Sequence, residues 1–100
     1  MRAFQAEQSA SQTPEGYLAI SLARYQEKRY DDAIAACKLA LALKPDYAEA
    51  WNNVCASSNQ LGQYEQAINA CEQALRFKPD LELARNNLEF ARRRMKTGPE

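Results

Sequence analysis

One hundred residues bound this chain to a single domain, and 46% apolar with 26% charged residues is the composition of a folded chain rather than a disordered one. The 13 basic and 13 acidic side chains cancel, so nothing draws the chain generally to nucleic acid or to an anionic membrane. No apolar run approaches the roughly 18–20 residues of a spanning helix, so this segment is not expected to insert into a membrane.

Residues 1–12 are rich in Gln, Ser and Ala, with no apolar h-region; they read as a tail or frayed helix, not as a signal peptide. Thr13-Pro14-Glu15 then opens a helix: Thr13 can cap, Pro14 has the φ of a first turn, and Glu15 suits the positive dipole end. Tyr17, Ile20 and Ala23 form its stripe to about Glu27. Lys28-Arg29-Tyr30 turns the chain, and Asp31 or Asp32 starts a second helix with Ala33, Ile34, Cys37, Ala40 and Leu41 at spacings of three and four. Pro45 ends it. Asp46 through Glu49 reads as a capping box with Asp46 as cap. A third helix carries Ala50, Trp51, Val54 and Cys55 and ends at Gly62. A fourth carries Ala67, Ile68, Cys71, Ala74 and Leu75 and stops at Pro79. Asp80 caps a fifth, striped by Leu81, Ala84, Leu88, Ala91 and Met95. Trp51, Ala67 and Leu75 are expected in the core.

A shift of 34 residues lays much of this pattern on itself. Tyr30, Ala33, Ile34, Cys37, Ala40, Leu41 and Lys44-Pro45-Asp46 fall on Tyr64, Ala67, Ile68, Cys71, Ala74, Leu75 and Lys78-Pro79-Asp80. A fixed period of this size marks a repeat protein whose units stack on their neighbours.

The three cysteines sit in helical patterns among alanines and read as small buried hydrophobes, unpaired and slow to react. With no histidine and no close cysteine pair there is no metal-ligand pattern, and no cofactor is expected. Unpaired thiols favour a reducing, cytoplasmic setting. Neither a phosphate-binding glycine loop nor a nucleophile motif is present, so no enzymatic role is expected.

These residues resemble the tetratricopeptide repeat (TPR) family, whose pattern runs W-x2-L-G-x2-Y, A-x3-F and P over one unit. Residues 14–47 and 48–81 read as two full repeats, 82–96 as a capping helix, 13–97 as the whole domain and 98–100 as a tail. Trp51, Val54, Cys55, Gly62, Tyr64, Ala67, Ala74 and Pro79 take signature places in the second repeat; Tyr17, Ile20, Ser21, Tyr30, Ala33, Ala40 and Pro45 do so in the first. Cys37 and Cys71 stand where the family prefers an aromatic, Arg24 and Ser58 where it prefers tyrosine. The resemblance implies an all-α fold, a right-handed α-solenoid of five helices in antiparallel pairs. Charged Arg85, Glu89 and Arg92 on the last helix read as the end of the array.

The resemblance also implies a concave groove for an extended peptide of a partner protein. Carried over, its lining includes Leu18, Leu22 and Tyr25 at an apolar end, Asn52, Asn53, Asn59, Asn86 and Asn87 in the middle, and Phe90, Arg93 and Arg94 at the far end. Asparagine donates and accepts, so Asn53 and Asn87 can grip a peptide's own amides, from side chains expected at the surface. Solvated surface is the bland alternative for these amides, as dipole complementation is for Arg92-Arg93-Arg94. Of the carboxylate clamp used by chaperone-binding relatives only Asn53 matches. The function this implies is a protein-interaction module. The competing reading is self-association, or a structural cap on a longer chain whose activity lies elsewhere.

Overall fold

The computed structural model describes residues 13–97, and the tails expected over 1–12 and 98–100 lie outside them. The described residues form five helices: α1 (Pro14–Gln26), α2 (Tyr30–Leu43), α3 (Ala48–Gln60), α4 (Tyr64–Phe77) and α5 (Glu82–Thr97). Thr13 opens α1 as its sequence demands, its Oγ1 accepting from the Gly16 N–H at 2.9 Å with Pro14 in the first turn.

The turns after α1 and α3 close with the same bond. Arg29 N–H donates to the Arg24 carbonyl and Gln63 N–H to the Ser58 carbonyl, both at 2.9 Å. Each turn needs one left-handed residue, which is Gly62 (φ 76°) after α3 and Lys28 (φ 62°) after α1. Glycine adopts this conformation without strain; lysine does so against a Cβ clash.

Three helix starts differ from expectation. α2 begins at Tyr30, ahead of both aspartates, with Arg29 in the cap position and no side-chain bond. Tyr47, not Asp46, occupies the cap of α3, again without a side-chain bond. Leu81, not Asp80, supplies the carbonyl that receives the first amides of α5, from Ala84 and Arg85. The physical reason for the last two is shared. Lys44-Pro45-Asp46-Tyr47 and Lys78-Pro79-Asp80-Leu81 are turns closed by Tyr47 N–H to Lys44 O and Leu81 N–H to Lys78 O, each 3.1 Å. Each aspartate is the third residue of a turn whose second residue is proline, two residues before the helix starts.

The helices pack in sequence, α1 on α2, α2 on α3, α3 on α4 and α4 on α5. In addition α3 lies close against α1 and α5, whereas α2 and α4 stand farther apart. The layer of α1, α3 and α5 is therefore the tighter one. On the opposite side α2 and α4 splay around a groove of about 650 Å³ floored by Leu41, Trp51, Val54 and Ala70.

Small residues let the pairs approach closely. Ala33, Ala40, Ala50, Ala67, Ala74, Ala84 and Ala91 are wholly inaccessible to solvent. Ala67 is in the core as expected, but Trp51 and Leu75 are only half-buried, packed against it. The Trp51 indole forms part of the floor of the outer groove and donates to the Pro45 carbonyl at 2.9 Å, so its ring edge stays open between α2 and α4. Ala23, assigned to the α1 stripe, is exposed.

The expectation of three unpaired cysteines is overturned. Cys55 on α3 and Cys71 on α4 form a disulfide with their Cα atoms 5.3 Å apart, and only Cys37 is free. These positions oppose one another where two antiparallel helices meet through small side chains, which brings the Cα atoms within bridging distance. Equivalence across repeats, which pairs Cys37 with Cys71, directs attention to the wrong partner. With Cys55 joined to Cys71, the cysteines no longer point to a reducing compartment.

Candidate functional site

The inner layer brings together the side chains that the sequence assigns to a groove, but it uses them in two different ways. Asn52, Asn53 and Asn59 on α3 are 9%, 7% and 8% exposed, against the expectation that Asn53 lies at the surface. Asn53 Nδ2 donates to Ser21 Oγ on α1 at 2.7 Å, and Ser21 in turn donates to the Leu18 carbonyl at 2.8 Å. Asn87 Nδ2 on α5 donates to Asn52 Oδ1 at 3.0 Å, and Asn59 Nδ2 donates to the Asn87 carbonyl at 3.0 Å. These amides form a polar seam that ties α1, α3 and α5 side by side. Helix α3 has neighbours on both flanks, and this buries residues whose polarity alone would place them in water. The Ser57 and Ser58 hydroxyls and Asn59 Oδ1 are buried with no partner among the described residues.

The seam reaches the free cysteine. Burial pushes the pKa of the Cys37 thiol up, against the opposing influence of Ser21 and Asn53 beside it, and so disfavours the reactive thiolate.

What remains open on this face is apolar at both banks. Leu22 on α1 is 48% exposed; on α5, Leu83 and Phe90 are 64% and 44% exposed. Leu18, one turn before Leu22 on α1, is half-buried. Tyr25 is also half-buried, edge-on to Tyr30 with centroids 5.2 Å apart, and its hydroxyl accepts from Gln60 Nε2 at 3.3 Å. Asn86 is exposed and Asn87 half-buried. The two arginines diverge. Arg94 places its guanidinium 5.6 Å from the Tyr64 ring centroid, beside the turn after α3, while Arg93 is exposed and makes no ion pair among the described residues. Arg92 pairs with Glu72 on α4 at 3.3 Å. At the opposite edge, Lys78 and Glu49 form an exposed ion pair at 3.0 Å that joins the end of α4 to the start of α3; the bond to Lys78 lowers the Glu49 carboxyl below its ordinary value. No cluster suited to a metal ion occurs among the described residues, and none of their helices is long and apolar enough to cross a membrane.

Five helices stacked in sequential pairs with a tight inner layer define a helical repeat fold. The tetratricopeptide repeat family matches residues 24–86, more than half of the chain, and the chain belongs to that family. No curated protein sequence matches it. Among solved structures, it is similar to the first TPR domain of human RPAP3 (25% identity, TM-score 0.81, covering 84% of this chain and 66% of that one). It is equally similar to the first TPR of Spaghetti (RPAP3) bound to the HSP90 peptide SRMEEVD (25%, 0.80, 83% and 66%). MamA shares the fold at 20% identity and TM-score 0.69, over 87% of this chain and 61% of that one. The chain thus spans just under two thirds of the RPAP3 chains it resembles.

Proposed function

We propose that this chain is an interaction module that holds a peptide segment of a partner protein along the inner face of α1, α3 and α5. The observation that carries this reading is the pair of exposed apolar banks, Leu22 on one side and Leu83 with Phe90 on the other, across a floor of seam amides. Exposed apolar side chains grouped along the edges of one face, with polar groups between them, are the composition of an interaction surface. The Spaghetti TPR bound to an HSP90 peptide supports the reading by fold and by a 25% likeness. We assign the roles within the site as follows. Leu18, Leu22, Leu83 and Phe90 receive apolar side chains of the segment. Asn86, Asn87 and Gln60 offer amide contacts, with Tyr25 at the edge. Arg93 favours an acidic residue, and Arg94 shapes the rim against Tyr64. Asn52, Asn53 and Asn59 act mainly by setting the spacing of the helices. No catalytic step is assigned to this chain.

The test is a peptide-array screen with hits measured by calorimetry. Leu22→Ala combined with Phe90→Ala is expected to weaken a hit by about tenfold or more, since each removes apolar contact of order 1 kcal/mol. Far-UV circular dichroism should stay unchanged, because both side chains are about half exposed. Gln73→Ala, on the outer groove, should leave affinity alone. A double variant that binds like wild type while Gln73→Ala abolishes binding would move the site to the other side of the molecule. Self-association, the competing reading, draws on a different surface.

A further inference from the structure

Helix α2 has two apolar faces where a helix of this stack requires one. Ala33, Cys37 and Ala40 point inward and are wholly inaccessible to solvent. On the far side Ala35, Leu39, Ala42 and Leu43 are all exposed, Leu39 at 51% and Leu43 at 54%. Their spacing of four, three and one places them in a single stripe roughly 100° wide, the breadth of a helix face that meets another helix. The chain carries its own control. One period on, the same positions of α4 are Asn69, Gln73, Arg76 and Phe77, three of them polar. The helix therefore does not need an apolar outer face to fold.

We propose that this stripe is a self-association surface, on which the α2 helices of two copies pack antiparallel about a two-fold axis near Leu39. The pattern is self-complementary. With Leu39 opposite its own copy, Leu43 of one chain falls opposite Ala35 of the other on each side of the axis, so a large side chain meets a small one twice. A two-fold interface requires this, because one patch must fit itself. The net charge of zero leaves no overall repulsion between copies. Lys38, exposed beside Leu39, meets its own copy at the margin of the contact, where its flexible stem lets the ammonium group turn away into water. Asp32, at the start of α2, is ion-paired with Arg29 at 2.7 Å. This surface lies on the outer layer, so a dimer leaves the inner face open.

The whole chain is measured by sedimentation equilibrium over about three decades of concentration, up to roughly 1 mM. Wild type is expected to show a monomer–dimer equilibrium. Leu39→Glu, which puts like charges on the axis, should raise the dissociation constant at least about tenfold; Gln73→Glu, at the matching place on α4, should not change it. Leu39→Cys should give a covalent dimer on mild oxidation, and Gln73→Cys should not. A wild type that stays monomeric at every concentration overturns the proposal. If Leu39→Glu then also loses thermal stability, the stripe is covered within the chain instead. A dimer that survives Leu39→Glu overturns it equally, by placing the contact elsewhere.

Discussion

Helix pairs α1–α2 and α3–α4 come from one sequence pattern but solve the same packing problem differently. Where the paired helices come closest, α3 and α4 carry Cys55 and Cys71, joined covalently. The matching residues of α1 and α2 are Ser21 and Cys37, which no covalent bond joins; Ser21 accepts a hydrogen bond from Asn53 instead. The left-handed turn residue is Gly62 in one pair and Lys28 in the other. Burial follows the same division. Nine residues of α3 are buried, against Gly16 and Ser21 alone in α1. An internal repeat fixes which positions meet, and the choice of side chain at those positions fixes how strongly they are held. By each of these measures the second pair is the firmer unit and the first the looser.

The largest expected effect comes from making the second pair resemble the first. Cys55→Ser replaces the disulfide with a Ser/Cys contact of the kind seen between Ser21 and Cys37. The bridge spans a sequence separation of 16, for which loop-closure entropy predicts ~3 kcal/mol. A thermal melt should fall by roughly 12–24 °C, and reductant should produce the same fall in wild type but none in the variant. Equal melting temperatures with and without reductant would remove the bridge from the comparison.

The reverse exchange, Ser21→Cys, should give the first pair a bridge to Cys37 over the same separation. It gains ~3 kcal/mol of chain entropy but loses the hydrogen bond from Asn53, worth ~1 kcal/mol, so a net gain of about 2 kcal/mol is expected. Thiol titration under denaturing conditions should count one free thiol in wild type and none in Ser21→Cys. A variant that keeps two free thiols would show that the two pairs do not superimpose as closely as their sequences do.

The smallest effect sits in the turns. Lys28→Gly relieves a left-handed lysine and should stabilise by ~0.5–1 kcal/mol, after the backbone entropy of the added glycine is deducted. Gly62→Ala should destabilise by about 1 kcal/mol through backbone strain alone, since an added Cβ meets no atom within 4 Å. Urea denaturation resolves both. If the two changes have the same sign, the turns are not equivalent.

Much of the architecture was legible in the residues themselves. Five helices, their order and their turns follow from apolar spacings of three and four, from Thr13-Pro14, Gly62, Pro45 and Pro79, and from the 34-residue period. These are local signals, set by backbone geometry within a few residues, and a sequence displays them directly. Even so, the aspartates at 46 and 80 show that a local signal can be read one residue too early, as a cap where the chain still makes a turn.

The tertiary structure decided what depends on neighbours distant in sequence. Cys55 bonds to Cys71 rather than staying free, because two helices cross there at 5.3 Å between Cα atoms. Asn52, Asn53 and Asn59 became a buried seam because α3 is flanked by α1 and α5. Trp51 stayed half open because α2 and α4 splay apart above it. Composition and periodicity specify which face of a helix is apolar. They do not specify how many other helices will come to lie against it, and in this chain that number separates a buried amide from an exposed one.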